Sequence, residues 1–499
     1  MEKSLVIIGA GIAGLAAGCY GRMNGYSTTI FELHDKPGGL CTSWQRRGYT
    51  FDGCLHWLVG SAPGNDFYRI WQELGAVQGR KMVDHEEFVR IEGAAGKTLI
   101  VYTDIDRLER HLLELAPADR KTILEFSRAV RRFARLSMRL DKPSELYTWR
   151  DTLDMLRRVR PYAYSLWKYG KTSVQEFAQK FTDPFLRETF PLVFELPDFP
   201  MLAMLMTLAW MHEKSSGYPV GGSLEFSRAI ERRYLTLAGE LRYRARVEKI
   251  LVEDHRAVGV RLADGSEHRG DFVISAADGH ATLFQMLQGK YGDEKVRGYY
   301  RKLPIFDPII QVTAGVGVDL SAAPHAVMYP LPEPVTIAGR EQKRIGVMHY
   351  GFDPTLAPPG KSVLKVMFPA DYDYWKKLGE NRELYEDEKE KISDQVVGLL
   401  EQRFPQIRGK VEVVDVATPL TYERYTGNWR GSMEGWMITT RSLFLQMKKT
   451  LAGLENFYQI GQWVQPGGGV PPAALSGREV IQIICHREGK SFQTSLPAA

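Results

Sequence analysis

The chain has 499 residues, 44% of them hydrophobic and 25% charged, with a formal net charge of +5. That length holds more than one domain with ample cores; the ordinary composition excludes a disordered or fibrous chain, and the mild charge argues against a nucleic-acid partner. Cys19, Cys41, Cys54 and Cys485 show no C-x-x-C spacing, which fits a reduced, cytoplasmic setting and gives no metal site.

Residues 5–8 (Leu-Val-Ile-Ile) read as a short buried strand. Gly9, Gly11 and Gly14 then form a G-x-G-x-x-G run with Ala13 inside it, and 15–24 reads as a helix. A second strand covers 28–31 and ends at Glu32. The three parts spell a βαβ unit that binds a dinucleotide. Glycine admits the pyrophosphate, the helix N-terminus faces its charge, and an acid about 20 residues on takes the ribose diol. The unit alone does not separate NAD from FAD. Lys3 and the apolar run after it imitate a secretory signal. The fingerprint explains the same residues, so no cleaved signal is expected. No apolar run reaches the roughly 18 residues of a spanning helix.

Pro37, Gly38, Gly39, Leu40 and Cys41 come next, followed by Gly48, Tyr49, Phe51 and Asp52 on a strand-like run. A glycine pair here lets backbone pass close to a flat ring system. The order of fingerprint, acid, Gly-Gly pair and G-Y-x-F-D strand resembles the flavoprotein family of amine oxidases, phytoene desaturases, carotenoid isomerases and retinol saturases. The resemblance implies FAD, held noncovalently. It also implies an α/β fold in which a Rossmann-type FAD-binding domain is interleaved with an α+β substrate domain. Many members carry Arg after the glycine pair. Leu40 and Cys41 stand there in this chain, which moves the match from the amine oxidases towards the desaturase and isomerase branch.

From about 104 to 215 the chain reads mainly as helices. Ile123, Phe126, Val130 and Phe133 recur at helical spacing, and Arg128, Arg131, Arg132, Arg135 and Arg139 take the other side. Between 128 and 160 there are ten basic and four acidic residues. Such a face is either solvated or in peripheral contact with an anionic membrane surface, at the inner face of a membrane. The Met-rich stretch 201–211 is either core packing or the lining of an apolar substrate tunnel.

Tyr218, Pro219, Gly221 and Gly222 match the desaturase branch, where this motif begins the return to the cofactor domain. Strand-like runs follow at 241–252, 257–262 and 271–275, and Val247 resembles the valine whose backbone meets adenine in the family. Asp278 and His280 read as turn and cap residues. A second excursion, 303–445, carries strand-like runs at 309–318, 327–329, 345–350 and 362–368 and a charged helix at 383–404. Residues 418–436, with Arg430 and Glu434, match the loop that closes over the flavin in relatives. Near the C-terminus a strand ends at Gly461, with Trp463 just after it. Gly467, Gly468 and Gly469 then lead through Val470 into a helix with proline in its first turn. In the desaturase branch this P-G-G-G-V-P run faces the flavin ring. Paired with the N-terminal unit, it selects FAD over NAD.

These readings give a discontinuous FAD-binding domain (1–103, 216–302 and 446–490), a substrate domain (104–215 and 303–445) and a tail (491–499). The expected activity is an FAD-dependent oxidoreductase that desaturates, saturates or isomerises a carbon–carbon bond of a hydrophobic, polyene- or isoprenoid-like substrate. A flavin amine or amino-acid oxidase and a non-catalytic FAD-bearing binder are the alternatives. His56, beside the G-Y-x-F-D strand, is a candidate for proton transfer. Glu434 and Arg430 are candidates for acting on the substrate. Oligomeric state is not legible.

Overall fold

The computed structural model describes residues 2–93, 96–137, 140–196 and 198–497. Arg139 of the basic series and the last two positions of the tail lie outside the described residues.

A five-stranded parallel sheet holds the N-terminal unit. Its order is Phe457–Gln459, Phe272–Ser275, Ser4–Ile8, Ser27–Phe31, Glu240–Arg242. Ile7 sits in register with Ile30 on one side and Ile274 on the other. Alternate residues of the first strand face opposite layers. Leu5 and Ile7 pack into a helical core, and Val6 and Ile8 pack towards the antiparallel strands Val247–Glu253 and Arg256–Leu262. Both faces are covered, which is why residues 5–8 of this strand are all apolar.

Two helices cross the helical side, Ile12–Met23 and Val470–Arg487. They touch backbone to backbone because Gly477 carries no Cβ; one there would lie 2.8 Å from the Ala17 nitrogen. Gly14 does the same for the first strand's exit. A Cβ at that position would collide with the Gly9 carbonyl oxygen. We therefore expect Gly14→Ala to lose stability by about 3 kcal/mol or more, since a well-packed site resists even one added carbon. A thermal melt of the purified variant checks this.

The second sheet has seven strands, in the order Val411–Ala417, Ile309–Val316, Ser362–Pro369, Arg340–His349, Ala326–Ile337, Glu87–Glu92, Thr98–Tyr102. Its last two strands come from 87–102, ahead of the point at 104 where the sequence reading begins the substrate region. They are fixed there by parallel pairing of Arg90 with Val327. One face of this sheet packs on Arg382–Arg403 through Ile392, Val396 and Leu400, spaced a turn apart. The helices between 105 and 212 form a separate core with Ile91, Leu99 and Val101.

The expected α/β architecture is observed. One local reading differs: Pro419–Thr426, read as part of a loop, is a helix. Proline sits in its first turn, and Thr418 and Thr421 hydrogen-bond reciprocally at its start.

Candidate active site

A cavity of about 1310 Å³ runs between the two sheets. Small-molecule pockets are usually about 300–1,000 Å³, so this one has room for a dinucleotide and more. One end is built from the glycine turns. Gly9, Gly11, Ala13 and Glu32 line it, with Gly38, Gly39 and Leu40 beside them. Gly461, Trp463, Gly468, Gly469 and Val470 line it from the C-terminal side. Gly14 lies behind, between helix and strand. Val247 packs in the core with Ile250 and Val260 and does not line the cavity.

The glycine end fits a flavin dinucleotide. Gly11 caps the helix Ile12–Met23 without a side-chain hydrogen bond, and no acidic residue stands in its first turn. The helix start therefore presents unmatched positive dipole to the cavity. A Cβ built on Gly11 would meet only the Gly38 carbonyl oxygen, at 3.9 Å, so the space in front of it is open. Glu32 is buried. Its carboxylate accepts hydrogen bonds from the Ala10 N–H (2.6 Å) and the His34 N–H (2.8 Å), and burial still raises its pKa. That leaves an acid prepared for a neutral hydroxyl donor.

The C-terminal turn repeats the pattern. Gly469, at φ +90°, caps the helix Val470–Arg487 with no side-chain partner. Gly468, at φ +48°, lies so close to the Glu434 carbonyl that a Cβ could not fit. The Gly461 N–H donates to Ser476 Oγ at 2.9 Å, which ties the last sheet strand to the same helix. Trp463 Nε1 donates to Asn428 Oδ1 at 3.1 Å, and Trp436 donates to the Trp463 carbonyl at 3.0 Å.

Beyond the glycine end stand the groups able to handle protons. His56 lines the cavity, and its Nε2 lies 2.8 Å from Lys365 Nζ. Burial and then the Lys365 charge hold His56 well below its usual range, so it is neutral near pH 7. Lys365 is completely buried, and burial pulls it down to about 8 against the attraction of Asp52. Asp52 in turn accepts from the Ser223 N–H (2.6 Å), Ser223 Oγ (2.7 Å) and the Cys54 N–H (3.0 Å). Glu434 also lines the cavity, and burial alone pushes its carboxyl up to about 7.

Arg430 is placed elsewhere. Its guanidinium donates to Asp373 at 2.7 Å and lies over the Tyr372 ring, and it does not line the cavity. The geometry gives it a role in holding its loop. Asp278 takes the cap position expected of it, accepting from the Ala281 N–H at 2.7 Å and the Trp429 N–H at 2.9 Å.

Sequence reasoning missed Lys365, Glu195 and the pair His85 and His325. A lysine at the centre of the Val-rich strand 362–368 was the visible signal for the first. Glu195 lines the cavity from a backbone at φ +55°, and burial pushes its carboxyl up to about 7. His85 and His325 stack at 3.6 Å, with Phe352 edge-on to His85 at 4.4 Å. They come from distant parts of the chain, and nothing local announces them.

The far end of the cavity is apolar. Trp57 meets Phe88 edge-on at 5.4 Å, and Phe194 and Phe199 continue the wall. The helix Met201–His212 contributes Leu202, Ala203, Met206, Thr207 and Trp210, spaced along one face. Met201, Leu205 and Leu208 of the same helix point into the core. Core packing and cavity lining thus divide this helix between them, with Leu202 and Met211 serving both.

A flavin-shaped cradle at one end and a greasy chamber at the other define a flavoprotein oxidoreductase. The chain belongs to the flavin-containing amine oxidoreductase family, whose model matches residues 12–485. Within that family it is similar to a chloroplastic prolycopene isomerase of Daucus carota, 26% identical over 95% of this chain and 79% of the other. It is equally similar, at 26%, to a lycopene-forming phytoene desaturase of Pseudescherichia vulneris, over 97% of this chain and 99% of that one. Among solved structures, an oxidoreductase from Methanosarcina mazei superposes with a TM-score of 0.60 at 18% identity, covering 96% of this chain and all of its own. No described helix is long and apolar enough to cross a membrane.

Proposed function

We propose that this protein holds FAD noncovalently and acts on a carbon–carbon bond of a hydrophobic, polyene- or isoprenoid-like substrate, by desaturation, saturation or isomerisation. The observation that carries this reading is the continuity of one cavity from Gly11 and Glu32 to the apolar wall of Phe194, Met206 and Trp210. The names of the full-length relatives, a prolycopene isomerase and a phytoene desaturase, point to the same substrate class.

When bound, flavin supplies the hydride chemistry. The remaining work falls to this chain. Gly11 and Gly469 aim two helix starts at the cofactor's negative charge. Phe88, Phe194 and Met206 exclude water from an extended apolar substrate. Glu434 holds or takes a proton near neutral pH. Burial and then the Lys365 charge keep His56 neutral, with its Nε2 facing the buried amine. Arg430 is left out of this scheme.

Noncovalent attachment is supported by the Cys54 thiol, which a hydrogen bond donated to Cys41, together with burial, holds well above its ordinary pKa, leaving it a poor nucleophile. The test is acid precipitation of the purified yellow protein, with chromatography of the supernatant. Free, unmodified FAD is the expected product. Colour that stays with the pellet, or release of a different flavin, contradicts the proposal. Incubation with polyenes should then give a product that differs by one hydrogen pair or is an isomer.

A further inference from the structure

We propose that the helices Trp149–Val159 and Ala163–Gly170 form a surface that docks on an anionic lipid bilayer and sets the rim of the cavity against it. The inference rests on the geometry of this surface and not on which substrate the cavity takes. No residue of Trp149–Val159 is buried. Trp149, Leu153 and Leu156, at positions i, i+4 and i+7, share one face and are 67%, 43% and 55% exposed. Tyr164 and Trp167 continue it on the next helix at 68% and 58%, and Phe444 adds 65%. These six are the majority of the ten large hydrophobic residues exposed among those described. Single exposed apolar residues need no explanation, but a cluster of this kind marks an interaction surface.

The surface adjoins the cavity. Phe444 lies against Gly170, where an added Cβ would sit 2.9 Å from its ring, and Phe444 also lines the cavity. Leu166, beside Trp167, and Tyr147, just ahead of Trp149, line the cavity too. The exposed side chains therefore adjoin the cavity wall and not a remote flank.

Charge complementarity selects the partner. Arg150, Arg157, Arg160 and Lys171 make no ion pair with a described carboxylate, although Arg158 is matched by Asp154. Aromatic and leucine side chains flanked by unmatched cations fit an interface of anionic headgroups over acyl chains. Two of the earlier basic positions are spent internally. Arg131 pairs with Asp106 and Glu109, and Arg132 donates to the Pro161 carbonyl and lies over the Tyr162 ring. The cations carried beside this apolar face, Arg150, Arg157 and Arg160, are the later ones in the 128–160 stretch.

The experiment sediments the full-length, flavin-loaded protein with phosphatidylcholine vesicles, with and without phosphatidylglycerol. Sedimentation is expected with the anionic vesicles and should weaken as salt rises. A Leu153→Glu, Leu156→Glu, Trp167→Glu variant should lose about tenfold in vesicle affinity, as expected when apolar burial at the interface is removed. An Arg157→Glu, Arg160→Glu variant should lose preference for anionic vesicles, which keeps a charge-only arm if the first variant folds poorly. Leu235→Glu, at an exposed leucine elsewhere, should bind as the parent does. Three results would overturn the proposal: a parent protein that stays in the supernatant with anionic vesicles, a triple variant that sediments undiminished, or a parent that dimerises through this face and ignores vesicles. The vesicles carry no substrate, so an error in the proposed substrate leaves this result untouched.

Discussion

Gly11→Val should give a folded, monodisperse and colourless protein. The open space in front of Gly11, with nothing nearer to an added Cβ than the Gly38 oxygen at 3.9 Å, means that the protein's own backbone leaves room for a side chain to start there. The backbone at this position has φ −65°, which any residue adopts. What valine would fill is the place reserved for pyrophosphate. An overpacking cost of about 3 kcal/mol corresponds to roughly a hundredfold weaker FAD binding, and the lost approach to the helix start adds to it. The melting temperature without added FAD should stay near that of the cofactor-stripped parent. Gly14→Ala makes the contrast, because there the added carbon strikes the protein's own backbone. Normal flavin content in Gly11→Val would remove the fingerprint from the cofactor site.

Glu434→Gln should slow turnover by about 10²- to 10⁴-fold, the usual worth of a positioned proton-transfer group. Its larger diagnostic value lies in the pH profile. The carboxyl is pushed up to about 7 by burial, so it is protonated below that pH and ionised above it. The parent's rate should therefore bend near pH 7. A rate that rises with pH marks Glu434 as proton acceptor, the sense needed for desaturation. A rate that falls marks it as donor, the sense needed for saturation. Glutamine keeps the shape and cannot titrate, so the bend should vanish while the flavin spectrum persists. An unchanged bend in the variant would pass the role to Glu195 or Asp278, cavity-lining carboxyls that burial also raises to about 7.

The cofactor half of the site was legible because its physics is local. A glycine turn, a helix start and an acid lie within thirty-odd residues, and each is needed at a fixed spacing. The C-terminal glycines were readable for the same reason, and both turns line one cavity. The substrate half is assembled from pieces far apart in the chain. Lys365 reaches His56 across 309 positions, and no pattern around either residue announces the contact. The strand Glu87–Glu92 escaped notice because its charged residues blur the alternation and its distant partner is Ala326–Ile337, and Thr98–Tyr102 joins the sheet by pairing with Glu87–Glu92. The helix Pro419–Thr426 was hidden by its polar composition, although Thr418 and Pro419 carried the start signal. Arg430 looked chemical in sequence, and its ion pair with Asp373 shows what the loop uses it for.

The account stands most directly on whether the flavin in this cavity answers to a polyene. The measurement is an anaerobic titration of the yellow protein with carotenoid-type polyenes and, separately, with primary amines, following the flavin absorbance. The account predicts bleaching or a clear spectral shift with polyenes and an unperturbed spectrum with amines. Bleaching by amines, with polyenes leaving the flavin untouched, would contradict it.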